Sequence, residues 1–301
     1  MRAIRRRAER RAVALAVCTI AAVAVAWSRP VAQAQPSGRD PRRIVSLIPA
    51  TTEMLFEIGA GSRVVAVSSF DRYPSAVESL PRVGALLDPN VEAILALKPD
   101  LVIVYDTQVE LKEQLTRAGT PMFRYVHRAL PDIMETIRAL GTRLGLAADA
   151  EKAVARIEAR LAAVRARVAN RLRPKTLLVI GREPGSLRRI DASGGYGFLH
   201  DLLEIAGGDD VLGDVKRQMV QLGTESVLAR RPDVIIELHY GDEMNTLNVE
   251  AERSVWNTLA AVPAVRNRRV HLLGGDEFVV PGPRIALAAE RFMAALHPDA
   301  R

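Results

Sequence analysis

Cysteine is almost absent from this chain of 301 residues, and only 4% of its residues are aromatic. The single cysteine, Cys18, lies inside an N-terminal apolar run, so we expect no disulfide and no cysteine metal site in the rest of the chain. That run, Ala12 to Trp27, has 16 residues, fewer than the roughly 20 that a membrane-spanning helix needs. The fold must therefore be held together by its hydrophobic core alone.

The first 34 residues have the composition of a secretory signal. Arginines surround the apolar run, and Ala32 and Ala34 provide the small residues at positions −3 and −1 of a cleavage site. We expect a cleaved signal peptide over residues 1–34 and a mobile leader over residues 35–41. An uncleaved membrane anchor is the alternative, and the export route (Sec or twin-arginine) stays open.

The formal net charge of +7 does not indicate nucleic-acid binding. Seven of the 42 basic residues lie in the predicted signal, together with one of the 35 acidic residues, so the rest of the chain is close to neutral. A protein that binds nucleic acid normally carries a basic surface. We therefore expect no nucleic-acid partner.

Short apolar runs alternate with amphipathic helices on both sides of the middle of the chain, which predicts parallel sheets covered by helices. The middle itself, residues 149–172, contains no glycine or proline. Its apolar residues recur in steps of three and four, which predicts one helix of about 24 residues that Asp149 caps. We expect two α/β lobes, 42–148 and 174–297, joined by this helix; a short coiled coil is the rival interpretation.

One phrase is written twice. "VEAILALKPDLVIV", which contains Glu92, recurs 133 residues later as "TESVLARRPDVIIE", which contains Glu225. Each copy predicts a helix that leads into a strand through Pro–Asp, with Asn90 and Thr224 as the helix caps. An acid in the first turn favours the helix dipole by about 0.3–1 kcal/mol. Two equivalent surface acids would also suit a matched pair of anchors for a partner.

Several segments, in order and at their spacing, resemble the substrate-binding proteins of ABC importers for iron-siderophores, haem and cobalamin, and most of all the cobalamin branch. They include "RIVSLIPATTEMLFEIGAGSRVVAVSS", "NVEAILALKPDLVIV", "GFLHDLLEIAGGDDVL" and "WNTLAAVPAVRNRRVHLLGGDEFVVPGPR". The resemblance implies a class III periplasmic binding protein, with two Rossmann-like α/β lobes joined by a backbone helix. It also implies a monomer in the periplasm that hands cobalamin to an ABC permease dimer in the inner membrane, on which Glu92 and Glu225 dock.

The resemblance further implies a ligand cleft. Tyr73 in "DRYP" and Asp276 in "GGDEF" match positions that line it, whereas the cleft tryptophans of the cobalamin branch are replaced by Leu86, Tyr105 and Met219. The pair His239–Tyr240 follows a predicted strand, at the end of a sheet where ligands bind. The predicted ligand-binding residues are Tyr73, Tyr105, Met219, His239, Tyr240, Asp276 and Phe278.

Haem and ferric siderophores are the alternative ligands. Haem carriers commonly use an axial tyrosine or histidine, and the candidates are Tyr73, Tyr105, His127, His239 and Tyr240. The haem branch, however, has its tyrosine where this chain has Ala85 to Leu87. A siderophore carrier would offer cations to its ligand, for which Arg182 and Arg284 are available.

A two-lobed transferase and a carrier of Zn or Mn ions are the alternatives from other classes. The chain contains no GxxxxGK[ST], HExxH, CxxC or GxSxG, and "IGREPGSL" lacks the close glycine spacing of a dinucleotide loop. The five histidines show no metal-ligand spacing. We therefore expect a binding protein rather than an enzyme, with no catalytic residues, no resident cofactor and no metal site.

Overall fold

A computed structural model describes residues 40–126, 128–242 and 246–300. The predicted signal peptide, nearly all of the leader and the haem-ligand candidate His127 lie outside the described residues. Pro41–Arg301 forms one compact unit. None of the described helices is both long and apolar enough to cross a membrane.

The N-terminal lobe has a parallel sheet of four strands among the described residues, in the order β2-β1-β3-β4. The strands are β1 (Ile44–Ser46), β2 (Val64–Val67), β3 (Leu101–Tyr105) and β4 (Met122–Tyr125). The helices are α1 (Pro49–Glu57), α2 (Val91–Ala96), α3 (Val109–Arg117) and α4 (Leu130–Arg143). The two central strands are entirely buried or nearly so, as their continuous apolar sequences predict.

The first helix starts earlier than the sequence suggested. Thr51 and Thr52 are residues of a type that commonly caps helices, but α1 already begins at Pro49, whose fixed φ suits the first helical position. Both threonine hydroxyls instead donate to the carbonyl of Ile48, and both contact the hydroxyl of Ser46. They therefore tie the helix to the carboxyl end of β1.

The backbone helix α5 spans Ala147–Val168. It begins two residues before the predicted start and ends four residues before the predicted end. Asp149, the predicted cap, lies in the first turn, and Leu146 occupies the cap position. The apolar stripe from Val154 to Val168 is buried, whereas Leu172, which the pattern had included, lies beyond the helix and is 94% exposed.

The C-terminal lobe has a six-stranded sheet within the described part of the chain, and five of its strands have the order β10-β9-β5-β6-β8. The strands are β5 (Lys175–Gly181), β6 (Ile190–Ser193), β7 (Asp209–Asp210), β8 (Met219–Leu222), β9 (Val234–His239) and β10 (Val270–Gly274). The helices are α6 (Phe198–Ile205), α7 (Thr224–Arg230), α8 (Val249–Val255), α9 (Pro263–Arg266) and α10 (Ile285–Leu296).

This second sheet is mixed, and the expectation of a purely parallel sheet was wrong here. Strands β5, β9 and β10 are parallel, but β6 runs antiparallel to both β5 and β8. The chain turns back after β5 through a short connection that contains Arg189 in the left-handed region (φ 51°). A connection of this length cannot form the crossover that a parallel neighbour requires.

Helix α5 packs against α4 of the first lobe and α10 of the second. Its buried residues belong to one hydrophobic cluster that continues into both sheets. The helix is therefore part of a shared core and not a strand of a coiled coil. Because a helix resists sharp bending, we expect this arrangement to limit the relative motion of the lobes to small angles.

Candidate ligand cleft and docking surface

Exposed apolar side chains lie beyond the carboxyl ends of β2 and β4 in the first lobe and of β9 in the second. Phe70 and Tyr73, after β2, are 65% and 50% exposed, Leu87 is 93% exposed, and Tyr240 directly follows β9. Ligands of open α/β sheets bind at these strand ends. We define the apolar rim as Phe70, Tyr73, Leu86, Leu87, Val126, Tyr196, Met219 and Tyr240, all of which are exposed.

The lobes meet at one end of the rim through an ion pair. Arg72, between Phe70 and Tyr73, donates from Nη1 and Nη2 to the two carboxylate oxygens of Asp242, at 2.7 and 2.9 Å. The neighbouring N–H of Gly241 donates to Asp276 Oδ1 at 2.8 Å. Asp276, a predicted ligand contact, therefore holds the loop that carries Tyr240.

A second contact joins the lobes where Tyr196 and Met219 lie. The side-chain amide of Gln218 donates to the carbonyl of Arg128 at 2.8 Å. Gln218 immediately precedes Met219, and Arg128 lies just beyond the end of β4. Met219 is therefore on the rim, but at a different interlobe contact from the one made by Arg72.

Tyr105 is half-buried at the end of β3, next to the rim. Its ring meets the edge of Tyr125 at a centroid distance of 5.8 Å. Burial, together with the nearby charge of Asp71, raises the pKa of the Tyr105 phenol. Burial also raises the pKa of Asp71, which Ser68 partly offsets by donating hydrogen bonds from its N–H and hydroxyl. Tyr105 and Asp71 are therefore largely buried polar groups and not exposed members of the rim.

The prediction that Phe278 contacts the ligand was wrong. Phe278 is fully buried, stacks on Phe292 at a centroid distance of 5.2 Å, and lies beneath the guanidinium of Arg291. The short turn Asp276–Phe278 directs its last side chain into the core. Asp276, the first residue of this turn, instead contacts the loop that carries Tyr240.

His239 is also removed from the surface, in a buried charge cluster behind Tyr240. Its Nε2 lies 3.0 Å from Glu237 Oε1, without the geometry of a hydrogen bond. Glu237 also accepts a hydrogen bond from Trp256 Nε1 at 2.7 Å and lies 3.1 Å from Arg182. Neither His239 nor Arg182, whose side chain is 2% exposed, is presented to a ligand. Their assignments to haem and to a siderophore are not supported.

Arg284, the second cation considered for a siderophore, is engaged within the protein. Its guanidinium forms two hydrogen bonds with Glu53 and covers the ring of Tyr73. Among the residues that the structure describes, no three His, Cys, Asp or Glu side chains come together as a candidate metal site.

Both copies of the repeated phrase place their glutamate as predicted. Glu92 and Glu225 lie in the first turns of α2 and α7, and both are exposed. Asn90 caps α2 by accepting the N–H three residues on, at 2.9 Å. Thr224 does not cap α7, because the helix begins at this residue and Gly223 occupies the cap position. Neither glutamate forms a salt bridge within the described ranges.

The Pro–Asp end of each copy of the phrase is hydrogen-bonded to a neighbouring strand. Lys98 and Arg231, each just before the proline, are both left-handed, with φ of 48° and 50°. Asp100 then accepts two backbone N–H groups at the start of β1, both at 2.8 Å, and Asp233 accepts one at the start of β5, at 3.1 Å. Helices α2 and α7 lead into the amino ends of β3 and β9. Their first turns, which contain Glu92 and Glu225, therefore lie toward the carboxyl ends of these strands, on the side of the rim.

Two α/β lobes, each with its own sheet, and one backbone helix that joins them define a class III periplasmic binding protein. The model of the family described as "Periplasmic binding protein" matches residues 44–277, and the chain belongs to this family.

Among its relatives, the vitamin B12-binding protein of Yersinia pestis (strain Pestoides F) is 29% identical over 252 residues, which are 83% of this chain and 84% of that protein. The periplasmic vitamin B12-binding protein of Vibrio cholerae has 26% identity and a TM-score of 0.71, over 85% of this chain and 97% of that one. The periplasmic haem-binding protein of Roseiflexus sp. RS-1, in apo form, has 28% identity and a TM-score of 0.73, over 88% and 100%.

Four members of the rim were not predicted from the sequence. Phe70, Leu87, Val126 and Tyr196 were not among the predicted site residues, although Phe70 comes shortly after the apolar sequence of β2 and Tyr196 lies within a glycine-rich segment, residues 194–197. Gly84 marks the loop with Leu86 and Leu87: its φ is 85°, and a Cβ there would lie 2.2 Å from the carbonyl oxygen of Asp88. An apolar residue next to such a turn was the available indication.

Proposed function

We propose that this protein is the solute-binding component of an ABC importer, that it captures a corrinoid between its lobes, and that it delivers the ligand to a permease. The observation that carries the proposal is the apolar rim, whose exposed side chains come from both lobes and include Phe70, Tyr73 and Tyr240 beyond the carboxyl ends of β2 and β9. Large flat ligands favour such apolar and aromatic walls. The two B12-binding relatives agree with this choice.

Haem is the second candidate ligand, and the likeness to the haem-binding protein of Roseiflexus favours it. Its iron would need an axial side chain, and the exposed phenols of Tyr73, Tyr196 and Tyr240 are the groups at the rim that provide one. A ferric siderophore is less well supported, since Arg182 and Arg284 are engaged in internal ion pairs. A transferase reaction has no support from the relatives, which are binding proteins.

Ligand titration tests the proposal directly. The purified protein is titrated with cyanocobalamin, haemin and a ferric siderophore, and visible spectra and tryptophan fluorescence are recorded. We expect cyanocobalamin to bind at micromolar concentration or below and to quench Trp256. A tyrosine-ligated haem spectrum without cobalamin binding would replace the corrinoid by haem. Binding of none of the three would overturn the ligand assignment.

We further propose that Glu92 and Glu225 dock on arginines of the two permease subunits, one glutamate from each lobe. Their equivalent positions on the rim side suit a partner with two-fold symmetry. Exposed charges of this kind contribute mainly orientation and association rate. The double variant Glu92→Ala/Glu225→Ala is expected to abolish uptake of radiolabelled ligand while its affinity for the ligand is unchanged.

Glu250 supplies the matched control for this experiment. It lies in the first turn of α8, where Asn248 caps the helix through Ala251 at 3.0 Å, as Asn90 does in α2. Glu250→Ala therefore removes the same helix-dipole interaction without touching the docking pair, and uptake should persist. Loss of ligand affinity in the double variant, or equal loss of uptake in the control, would contradict the docking role.

A further inference from the structure

Arg284 connects the two lobes beside the cleft. It directly precedes α10 in the C-terminal lobe, and its Nε and Nη2 donate to the two carboxylate oxygens of Glu53 in α1, at 2.9 and 2.6 Å. Glu53 is only 3% exposed. A planar guanidinium that binds a carboxylate through two parallel hydrogen bonds has a fixed orientation.

The face of this guanidinium covers the ring of Tyr73, with the central carbon 4.4 Å from the ring centroid. This distance is within the range of a cation–π contact. Tyr73 belongs to the N-terminal lobe, stands half exposed on the apolar rim, and follows Arg72, which pairs with Asp242. The ring is thus supported by a side chain of the opposite lobe.

The surroundings hold the guanidinium in place. Arg284 Nη1 lies 3.5 Å from Glu277 Oε2, and Glu277 is also paired with Arg291. Gly282 packs so closely on the Glu53 carboxylate that a Cβ there would lie 3.2 Å from its Oε2. Burial raises the pKa of Glu53, and Arg284 offsets this effect only in part. Since an arginine stays charged, the Glu53 carboxylate and the Tyr73 ring both interact with the same permanent cation, Arg284.

We propose that Arg284 is a positioning residue for the ligand: it fixes the Tyr73 ring at the rim and, through Glu53, makes the placement of this ring depend on the relative orientation of the lobes. A ligand that contacts Tyr73 then favours the lobe orientation in which the Glu53–Arg284 pair is intact. This inference rests on the proposed function for its ligand, but the position of the ring is measurable without one.

The first test uses the ligand-free protein. The five tyrosines are labelled as 3-fluorotyrosine, and the ¹⁹F resonance of residue 73 is assigned with Tyr73→Phe. Arg284→Lys keeps a charge for Glu53 but loses the planar contact with the ring, so the Tyr73 resonance is expected to shift. Arg160→Lys is the matched control, because Arg160 binds Glu290 through two hydrogen bonds, at 2.9 and 3.0 Å, on the exposed surface. An unchanged Tyr73 resonance in Arg284→Lys would overturn the proposal.

The second test is a double-mutant cycle on the affinity for cyanocobalamin. Arg284→Lys should weaken binding about three- to tenfold when Tyr73 is present, and should have no further effect in the Tyr73→Ala background. Equal weakening in both backgrounds would mean that Arg284 acts on the lobes alone, and would overturn the role through Tyr73. Failure of the wild-type protein to bind cyanocobalamin would reject the corrinoid and leave the resonance test decisive. If Arg284→Lys does not fold, Glu53→Gln, which removes the charge that orients the guanidinium, must shift the Tyr73 resonance.

Discussion

Glu237 offers the sharpest test of the packing behind the cleft. Its carboxylate, 1% exposed, accepts the Trp256 Nε1 hydrogen bond at 2.7 Å and lies 3.1 Å from Arg182 Nη2. Glu237→Ala removes the central acid and leaves a buried guanidinium and a buried indole N–H without this acceptor. The variant should therefore be strongly destabilised.

The expected magnitude follows from these contacts. Removing one partner of a buried ion pair costs about 3–5 kcal/mol, but Arg182 keeps a second acid, Glu252, at 2.9 Å. The cost of losing the ion pair should thus be near or below the lower limit of this range, and the lost Trp256 hydrogen bond adds about 1 kcal/mol. We expect a loss of about 3–4 kcal/mol in the free energy of unfolding, and a decrease of about 10 °C in Tm.

Urea denaturation, followed by circular dichroism and by tryptophan fluorescence, measures this loss. Glu250→Ala is the matched control, since its pair with Arg253 is exposed and should contribute less than about 1 kcal/mol. If Glu237→Ala is no less stable than Glu250→Ala, the cluster does not stabilise the fold and the reasoning fails.

The same residue predicts a pH dependence. Burial alone would raise the pKa of Glu237, but the contacts with His239 and Trp256 and the charge of Arg182 outweigh it, so that the pKa is lowered. A depressed pKa stabilises the fold above the ordinary value of about 4.3 and loses this contribution as the pH falls through the folded-state pKa. The stability difference between wild type and Glu237→Gln should therefore shrink on acidification. A difference that is constant or grows would contradict the assignment.

Three further outcomes test other parts of the molecule by urea denaturation. Asp100→Ala should cost about 1–2 kcal/mol and Asp233→Ala less, because Asp100 accepts two backbone N–H groups and Asp233 one; equal losses would contradict this. Leu161→Ala, in the buried stripe of α5, should cost about 3 kcal/mol, against about 0.5 kcal/mol or less for the exposed Arg165→Ala. Arg72→Ala should cost less than about 1 kcal/mol, and less still at high salt, because its ion pair is exposed; a salt-independent loss would indicate a buried role.

Glu92 and Glu225 show how much of a candidate site a local pattern contains. Glu92 and Glu225 were placed correctly in the first turns of exposed helices because caps, apolar spacing and Pro–Asp all act within a few residues. The cap of α7 was wrong by one residue, which is the usual uncertainty at a helix end. No local pattern indicated that Lys98 and Arg231 share a left-handed conformation.

The ligand-site predictions were less successful because exposure is a property of the assembled lobes. Tyr73, Met219 and Tyr240 do lie on the rim, but His239, the last residue of β9, and Phe278, in the turn after β10, are buried. Arg284 looked like an available cation in the sequence. Its partner Glu53 is 231 residues away, so only the folded chain reveals that the guanidinium is engaged.

The sequence by itself determined the α/β alternation, the backbone helix and the paired phrase, because each depends on the periodicity of apolar residues and on caps within one element. The tertiary structure alone decided the antiparallel strands of the second sheet, the members of the apolar rim and the ion pairs across the lobes. These features depend on which distant segments meet when the core is buried, and a charged side chain is available to a ligand only if no partner from another segment has already neutralised it.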